Sequence, residues 1–364
     1  MDFELPADDD PRRLDVRAWL AEHPTPSGRE LAEAGYVAPH WPKPWGLDAD
    51  PILQLIVDDE LRRAGVRRPA NMIGIGWAGP TILAAGTQEQ KDRYLFPLLA
   101  AEELWCQLFS EPGAGSDLAS LSTRAERDGD VYVVNGQKIW TSYGHAAKFG
   151  ILIARTNPDV AKHQGISYFI CPMDTPGIEV RPIVEMTGAH LFNEVFFDDV
   201  RLPASLRVGE EGEGWTLAKV TLGNERVSLS SGGALWGDGP SAHDLLAQTH
   251  TSDALMRQRL AQLYIEAEIL RLIRLRTVTA AVRGEAPGPE ASIRKVMADE
   301  HGQKIMAIAK DLRGAAGMVN TPADIWDYGF LFSPALTIGG GTWAVQRNII
   351  AERVLGLPHD VAVN

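Results

Sequence analysis

Three stretches hold residue types that could do chemistry at short spacing. WTSYG (140 to 144) gathers a tryptophan, two hydroxyls and a tyrosine directly after GDVYVVNGQKI, a run that reads as a turn and a strand. SEPGAGSD (110 to 117) is a run of small residues. Its backbone N–H groups could approach a ligand closely, or it could be a plain turn built by the ordinary chemistry of Gly and Ser. TIGGGTWAVQ (337 to 346) puts three glycines in a row, like a place from which a side chain has been lost. An aromatic face, hydroxyl donors and bare backbone are the materials of a small-molecule site.

Other chemistries have no foothold. No G-x-x-x-x-G-K-[ST] run and no G-x-S-x-G elbow occurs, which argues against phosphoryl transfer and α/β-hydrolase chemistry. The one G-x-G-x-x-G, at Gly74, Gly76 and Gly79, follows the weak strand RRPANMI and runs straight into Pro80, so it reads as a helix break rather than a dinucleotide fingerprint. Cys106 and Cys171 are far apart, and the nine histidines form no H-x-x-x-H pair, so no protein-bound metal and no structural disulfide are expected. A net charge of −13 argues against a nucleic-acid or anionic-membrane surface. The pairs Arg12 and Arg13, Arg62 and Arg63, and Arg67 and Arg68 sit among acids and read as solvated helix faces. No apolar run approaches the ~20 residues needed to cross a bilayer. The acidic start, MDFELPADDD, reads as neither a signal nor a transit peptide, and a reduced, cytoplasmic compartment is expected.

The elements that must position these stretches fall into three blocks. Residues 1–104 read as helical, with DPILQLIVDDELRRAG and TILAAGTQEQKDRYLFPLLAAEEL showing helical spacing. Residues 105–208 switch to short β-branched and aromatic runs, DVYVVNGQKIW, KFGILIAR, ISYFICPM and NEVFFDDVRL, separated by turn residues. Residues 209–364 return to helix, with Leu260, Leu263, Ala267 and Leu270 on one stripe and SIRKVMADEHGQKIMAIAKDLRG as a second long segment. The expected fold is an α+β multidomain chain in the order helical, all-β, helical, which lacks the alternation a nicotinamide-binding sheet needs.

The chain resembles the acyl-CoA dehydrogenase family over nearly its whole length. WCQLFSEPGAGSDLA, VNGQKIWTSYG, FDDVRLP, GEGW with NER, and GGGTWAVQRNIIAERVLGLP stand in that family's order and roughly its spacing. The resemblance implies an N-terminal helical domain, a middle antiparallel β-barrel and a C-terminal four-helix bundle. It implies FAD as cofactor, with Trp140 and Ser142 on the flavin ring and Phe109, Ser110, Gly115, Ser116 and Thr342 contributing further cofactor contacts. A flat π system wants an aromatic cover and its polar rim wants compact donors; a plain core tryptophan is the competing reading of Trp140. Ser116 and Arg226 are implied on the acyl-CoA substrate. The implied reaction is α,β-desaturation: a carboxylate takes the α-proton while the β-hydrogen leaves with its electron pair to the flavin. A dry site would raise the carboxylate's affinity for that proton.

Two departures from the family pattern sharpen the expectation. Where many members carry the catalytic glutamate, immediately before Gly-Thr, this chain has Gly340, whose backbone N–H remains to polarise the thioester carbonyl. The branch in which the base sits before an arginine on an earlier helix matches Glu225 before Arg226, and Glu225 is assigned as the base against the alternative of a surface ion-pairing residue. The Arg-x-x-Phe-Gly run that reaches a neighbour's FAD diphosphate is missing from PSAHDLLAQTHTSDALMRQRL, and Asp311 replaces the accompanying glutamine. A carboxylate there repels a diphosphate. The resemblance therefore implies a related, non-identical partner subunit in an α2β2 assembly of the kind that acts on bulky steroid-derived acyl-CoAs, with an electron-transfer flavoprotein as acceptor. The alternative is a non-catalytic chain that only completes a related subunit's FAD site.

Overall fold

The computed structural model describes residues 6–229, 234–236, 239–282, 288–289, 291–321 and 324–359. The chain divides into two compact units, Met1–Glu185 with His190–Asn224, and Met186–Ala189 with Glu225–Asn364.

The first unit opens with helices α1 (Pro11–Glu22), α2 (Gly28–Glu33), α3 (Pro51–Arg63), α4 (Gly79–Ala85) and α5 (Gln88–Leu99). Their starts are set locally. Asp10 and Asp50 cap helices with proline in the first turn, and Ser27 with Glu30 and Thr87 with Gln90 form capping boxes. The glycine motif at 74 to 79 does not break the helix as expected. Gly74–Ala78 is a π-helical turn leading into α4, and a Cβ on Gly79 would run into the Trp41 ring, so this glycine is fixed by packing. In the first arginine pair Arg12 is partly exposed, but Arg13 departs from its solvated reading. Arg13 is buried and bonds Asp59 at 2.7 Å and Glu60, tying α1 to α3 through a buried charge cluster.

Strands β1 (Trp105–Leu108), β2 (Arg124–Asp128), β3 (Val131–Lys138), β4 (Phe149–Arg155), β5 (Ile166–Pro172), β6 (Ile178–Pro182), β7 (Asn193–Pro203) and β8 (Arg207–Val208) make one sheet. Its order is β6-β7-β3-β2-β4-β5-β8, with β1 beside β4. This path is open among the described residues rather than a closed barrel. The β1–β4 and β2–β4 pairings are parallel, and the other ladders are antiparallel as expected. Tyr132, Val134, Leu152, Phe169, Val195 and Leu202 belong to its buried core.

A bulge on β7 decides which side chains reach that core. Between the pairs Val134↔Val200 and Gly136↔Phe197 the register slips by one residue, and Asp199 takes φ 49°. Asn135 holds the bulge from across the ladder, its side-chain amide exchanging two hydrogen bonds of 2.9 Å with Asp199. Burial along β7 changes phase there, from Asn193, Val195 and Phe197 to Val200 and Leu202. Without the extra residue, one half of the strand would turn its apolar face outward.

Helix α6 (Gly214–Leu229) starts in the first unit and ends in the second. Thr221 bonds Thr81 at 2.8 Å and the Tyr168 hydroxyl at 3.0 Å, anchoring its first half. In the second unit, α9 (Ala291–Leu312) is the central helix. It packs with α7 (Ala242–Ala247), α8 (Ala254–Val282), α10 (Ile325–Phe332) and α11 (Trp343–Ile349). Leu260 and Leu263 of α8 are buried as expected, but the same helix leaves Tyr264, Ile265, Ile269 and Leu272 exposed. No described helix is long and apolar enough to cross a membrane, and no group of three or more potential metal ligands occurs among the described residues.

Candidate active site

In the first unit, the segments 109–117 and 138–144 are stitched together as they leave β1 and β3. The Ile139 N–H donates to the Ser110 carbonyl at 2.9 Å. Beneath them lies a buried ion pair. Lys138 Nζ donates to Glu111 Oε1 at 2.8 Å and to the Phe109 carbonyl at 2.9 Å. Glu111 also accepts the backbone N–H groups of Ser122 and Thr123 at 2.6 and 2.9 Å, and the Ser122 hydroxyl at 2.7 Å. Burial alone would raise the Glu111 pKa, but the Lys138 charge and these donors outweigh it and hold the carboxyl at about 2. Burial pushes Lys138 down to about 8 against the opposing pull of Glu111. The pair is therefore charged at neutral pH.

Above this anchor the loop is open. Gly113 and Gly115 adopt no left-handed conformation, and a Cβ on either would meet nothing within 4 Å. Neither the backbone nor the packing of the chain demands glycine at these positions, whereas close approach of an outside molecule would. Ser116 is exposed, Ser110 is half-buried, and the Phe109 ring is buried edge-on to Tyr168. Phe109 thus supports the loop from behind rather than forming its exposed surface.

Trp140 is no core aromatic. Its indole is 58% exposed, with its ring set edge-on to Phe192, and its backbone sits at φ 61°. A bulky residue held left-handed costs of order 1–3 kcal/mol and persists only where its surroundings impose it. Tyr143 is also left-handed at φ 57°, and the turn between them is clamped to β7 by Thr141 N–H donating to the Asn193 carbonyl at 3.0 Å. The Ser142 hydroxyl makes no hydrogen bond to another described residue. An exposed indole, an uncommitted hydroxyl and a bare glycine loop fit a flat, polar-edged group such as a flavin.

In the second unit, the glycine run forms a turn before α11. Gly340 and Gly341 have φ of 70° and 89°, and a Cβ on Gly339 would strike the Trp236 ring. Gln346, fully buried, donates to the Gly340 carbonyl at 3.0 Å. The N–H of Gly340 finds no acceptor among the described residues. The Thr342 hydroxyl caps α11 by accepting the Val345 N–H at 3.3 Å. Glu225 is buried, 6% exposed, and lies one helical turn after Thr221, which puts the two on one face of α6. A surface ion-pairing role for Glu225 does not agree with that burial. Arg226 follows it on the helix, with a side chain outside the described residues. Asp311 bonds Arg259 at 2.7 Å across the exposed side of α8 and α9.

Family models described as the acyl-CoA dehydrogenase N-terminal, middle and C-terminal domains match residues 10–102, 106–200 and 212–355. IpdE1 of Mycobacterium tuberculosis, described as an acyl-CoA dehydrogenase, is 39% identical over 350 residues, covering 94% of this chain and 88% of its own length. The chain belongs to the acyl-CoA dehydrogenase family. Its enzymes are oxidoreductases that are generally FAD-dependent. Another relative, acyl-CoA dehydrogenase FadE34 of M. tuberculosis, is 45% identical over 328 residues, and the match spans 90% of this chain but only 45% of FadE34. Among solved structures, the Tcur3481-Tcur3483 steroid ACAD matches with a TM-score of 0.81 and 30% identity, over 99% of this chain and 100% of that one. The ChsE4-ChsE5 complex from M. tuberculosis matches with a TM-score of 0.79 and 33% identity, over the same shares.

Sequence reasoning missed Glu111, Lys138 and Asn193, which hold the loops 109–117 and 138–144, and Gln346, which holds the glycine turn of the second unit. Their only signal was proximity to the motifs, because each acts through tertiary partners. A direct test of the open loop is Gly115→Val. Its Cβ would meet nothing within 4 Å, so the melting temperature of the apoprotein should stay nearly unchanged, while FAD affinity should fall by about tenfold or more, equivalent to about 1.4 kcal/mol. Equilibrium titration of the deflavinated complex with FAD, followed by flavin fluorescence, reads this.

Proposed function

We propose that this chain is an FAD-dependent subunit that desaturates a bulky acyl-CoA thioester at its α,β bond, within a heteromer that includes a related acyl-CoA dehydrogenase chain. The observation that carries the reading is the exposed, left-handed Trp140 beside a glycine loop with no internal reason to be glycine. Trp140 would cover the flavin ring, Ser142 would donate to its polar edge, and Ser110, Gly115 and Ser116 of the same unit would line the cofactor, with Thr342 assigned to it by the resemblance. FAD, when bound, supplies the acceptor for the β-hydrogen together with its bonding electrons. Glu225, buried on α6, takes the α-proton. The Gly340 N–H, without an acceptor among the described residues, donates to the thioester carbonyl as negative charge develops there. Ser116 would contact the acyl-CoA, the resemblance assigns Arg226 to it as well, and an electron-transfer flavoprotein would be the electron acceptor.

A steroid-derived acyl group is supported by the description of one structural neighbour as a steroid ACAD. The heteromer is supported by the hyphenated pairs among those neighbours, by the missing Arg-x-x-Phe-Gly run, and by the apolar side chains Tyr264, Ile265, Ile269 and Leu272 exposed along α8. The test is FAD content per chain, read from flavin absorbance, for the chain purified alone and with its related partner. Little flavin alone and near-stoichiometric flavin in the complex is the expected result. Full loading of the isolated chain would replace the heteromer with a self-sufficient oligomer.

A further inference from the structure

We propose that Asn193 is the positioning residue that holds Trp140 in its left-handed cover geometry, and so tunes the flavin without touching it. The inference rests on the reading of Trp140 as the flavin cover. Asn193 opens β7 and is fully buried, because the bulge at Asp199 sets the phase that turns its side chain inward with Val195 and Phe197. Its amide reaches both sides of the WTSY turn. Nδ2 donates to the Thr141 carbonyl at 2.9 Å and to the Leu191 carbonyl at 3.3 Å. Oδ1 accepts from His145 Nδ1 at 3.2 Å, and two carbonyls facing Nδ2 leave the amide one orientation. The backbone repeats the grip: Thr141 N–H donates to the Asn193 carbonyl at 3.0 Å, and Tyr143 N–H donates to the Leu191 carbonyl at 2.9 Å.

The residues at φ 61° and 57° therefore flank Thr141 and Ser142, and Asn193 holds both the N–H and the C=O of Thr141, one in each of two successive peptides. A strained conformation persists only when it is over-determined, and this side chain supplies the surplus constraint. Gly144 closes the turn, and a Cβ there would approach the Thr141 methyl at 3.1 Å and the Asn193 Cβ at 3.5 Å. The geometry leaves no slack for the turn to pivot, so the direction of the indole follows from Asn193.

The test measures the visible flavin spectrum, the flavin midpoint potential, FAD content and melting temperature of the FAD-loaded protein or complex. Wild type is compared with Asn193→Leu, which is neutral and removes every side-chain hydrogen bond, and with Trp140→Phe. Both variants are expected to shift the flavin band and potential from wild type, and in the same direction, although Asn193→Leu retains the indole. If Trp140→Phe shifts them and Asn193→Leu lowers only the melting temperature, the inference is overturned and the cover reading stands. If Trp140→Phe matches wild type, the cover reading itself fails and takes the inference with it. A folded Asn193→Leu that loses FAD while Trp140→Phe keeps it also overturns the inference, since the role would then be binding. Should Asn193→Leu not fold, Asn193→Ser carries the same expectation.

Discussion

Glu225→Gln should abolish most of the reductive half-reaction while leaving the protein folded and loaded with flavin. Gln is nearly isosteric and removes only the ability to take a proton, so the loss measures general-base catalysis, which contributes about 10²–10⁴-fold. The rate of flavin bleaching after anaerobic mixing with an acyl-CoA should fall by that factor, with FAD content unchanged. The buried position of Glu225, one turn after Thr221, gives the expectation its force. A carboxylate on the solvated face of a helix would have predicted no effect. An unaltered rate would instead favour a chain that completes a partner's cofactor site and performs no turnover of its own.

The second large effect is on stability. Lys138→Met should strand Glu111 as a buried, unpaired carboxylate, and breaking such a pair from one side costs about 3–5 kcal/mol. The Lys138→Met/Glu111→Gln double variant should recover much of that loss, because no charge then remains buried. Chemical denaturation of all four proteins closes the cycle, and equal destabilisation of the single and double variants would show that the lysine packs rather than pairs. Acidity acts on the same pair. The folded Glu111 pKa of about 2 lies below its ordinary 4.5, so its contribution is complete above about 4.5 and drains away as the pH falls toward 2. Stability measured between those limits should drop less in the Glu111→Gln protein than in wild type.

Much of the fold was legible because its signals are local. The helical spacing of DPILQLIVDDELRRAG and the apolar runs of β4 and β5 lie within short windows, whereas the break at Thr87, which divides TILAAGTQEQKDRYLFPLLAAEEL into α4 and α5, was not read although a capping box marks it. Strands such as β2, RAERD, carry no such pattern, since only one of its residues is buried. The parallel pairings, the open path of the sheet and the β7 bulge depend on which strands meet, which no window of sequence contains. Arg13 looked solvated because its partners Asp59 and Glu60 lie more than forty residues away.

The site divides in the same manner. Trp140, Ser142 and the SEPGAGSD loop stood out by residue type, but their assignment to a flavin came from the resemblance, and the folded chain adds the exposure of the indole and the open glycine loop. Glu225 needed the resemblance, since Glu before Arg is common on helices, and its burial became visible only in the folded chain. Asn193, Lys138 and Gln346 were invisible because their work is to hold other groups still. In the exposed run of Tyr264, Ile265, Ile269 and Leu272, the buried stripe of α8 hid a second apolar face, because the helix is apolar on more than one side.

The most direct measurement is anaerobic stopped-flow absorbance of the FAD-loaded complex mixed with a ring-bearing, steroid-derived acyl-CoA and, in parallel, a saturated straight-chain one. The account predicts rapid bleaching of the flavin band with the ring-bearing thioester, formation of the α,β-unsaturated product, and slow or no bleaching with the straight chain. An FAD-loaded complex that neither thioester bleaches, with its flavin still reducible by dithionite, would contradict it.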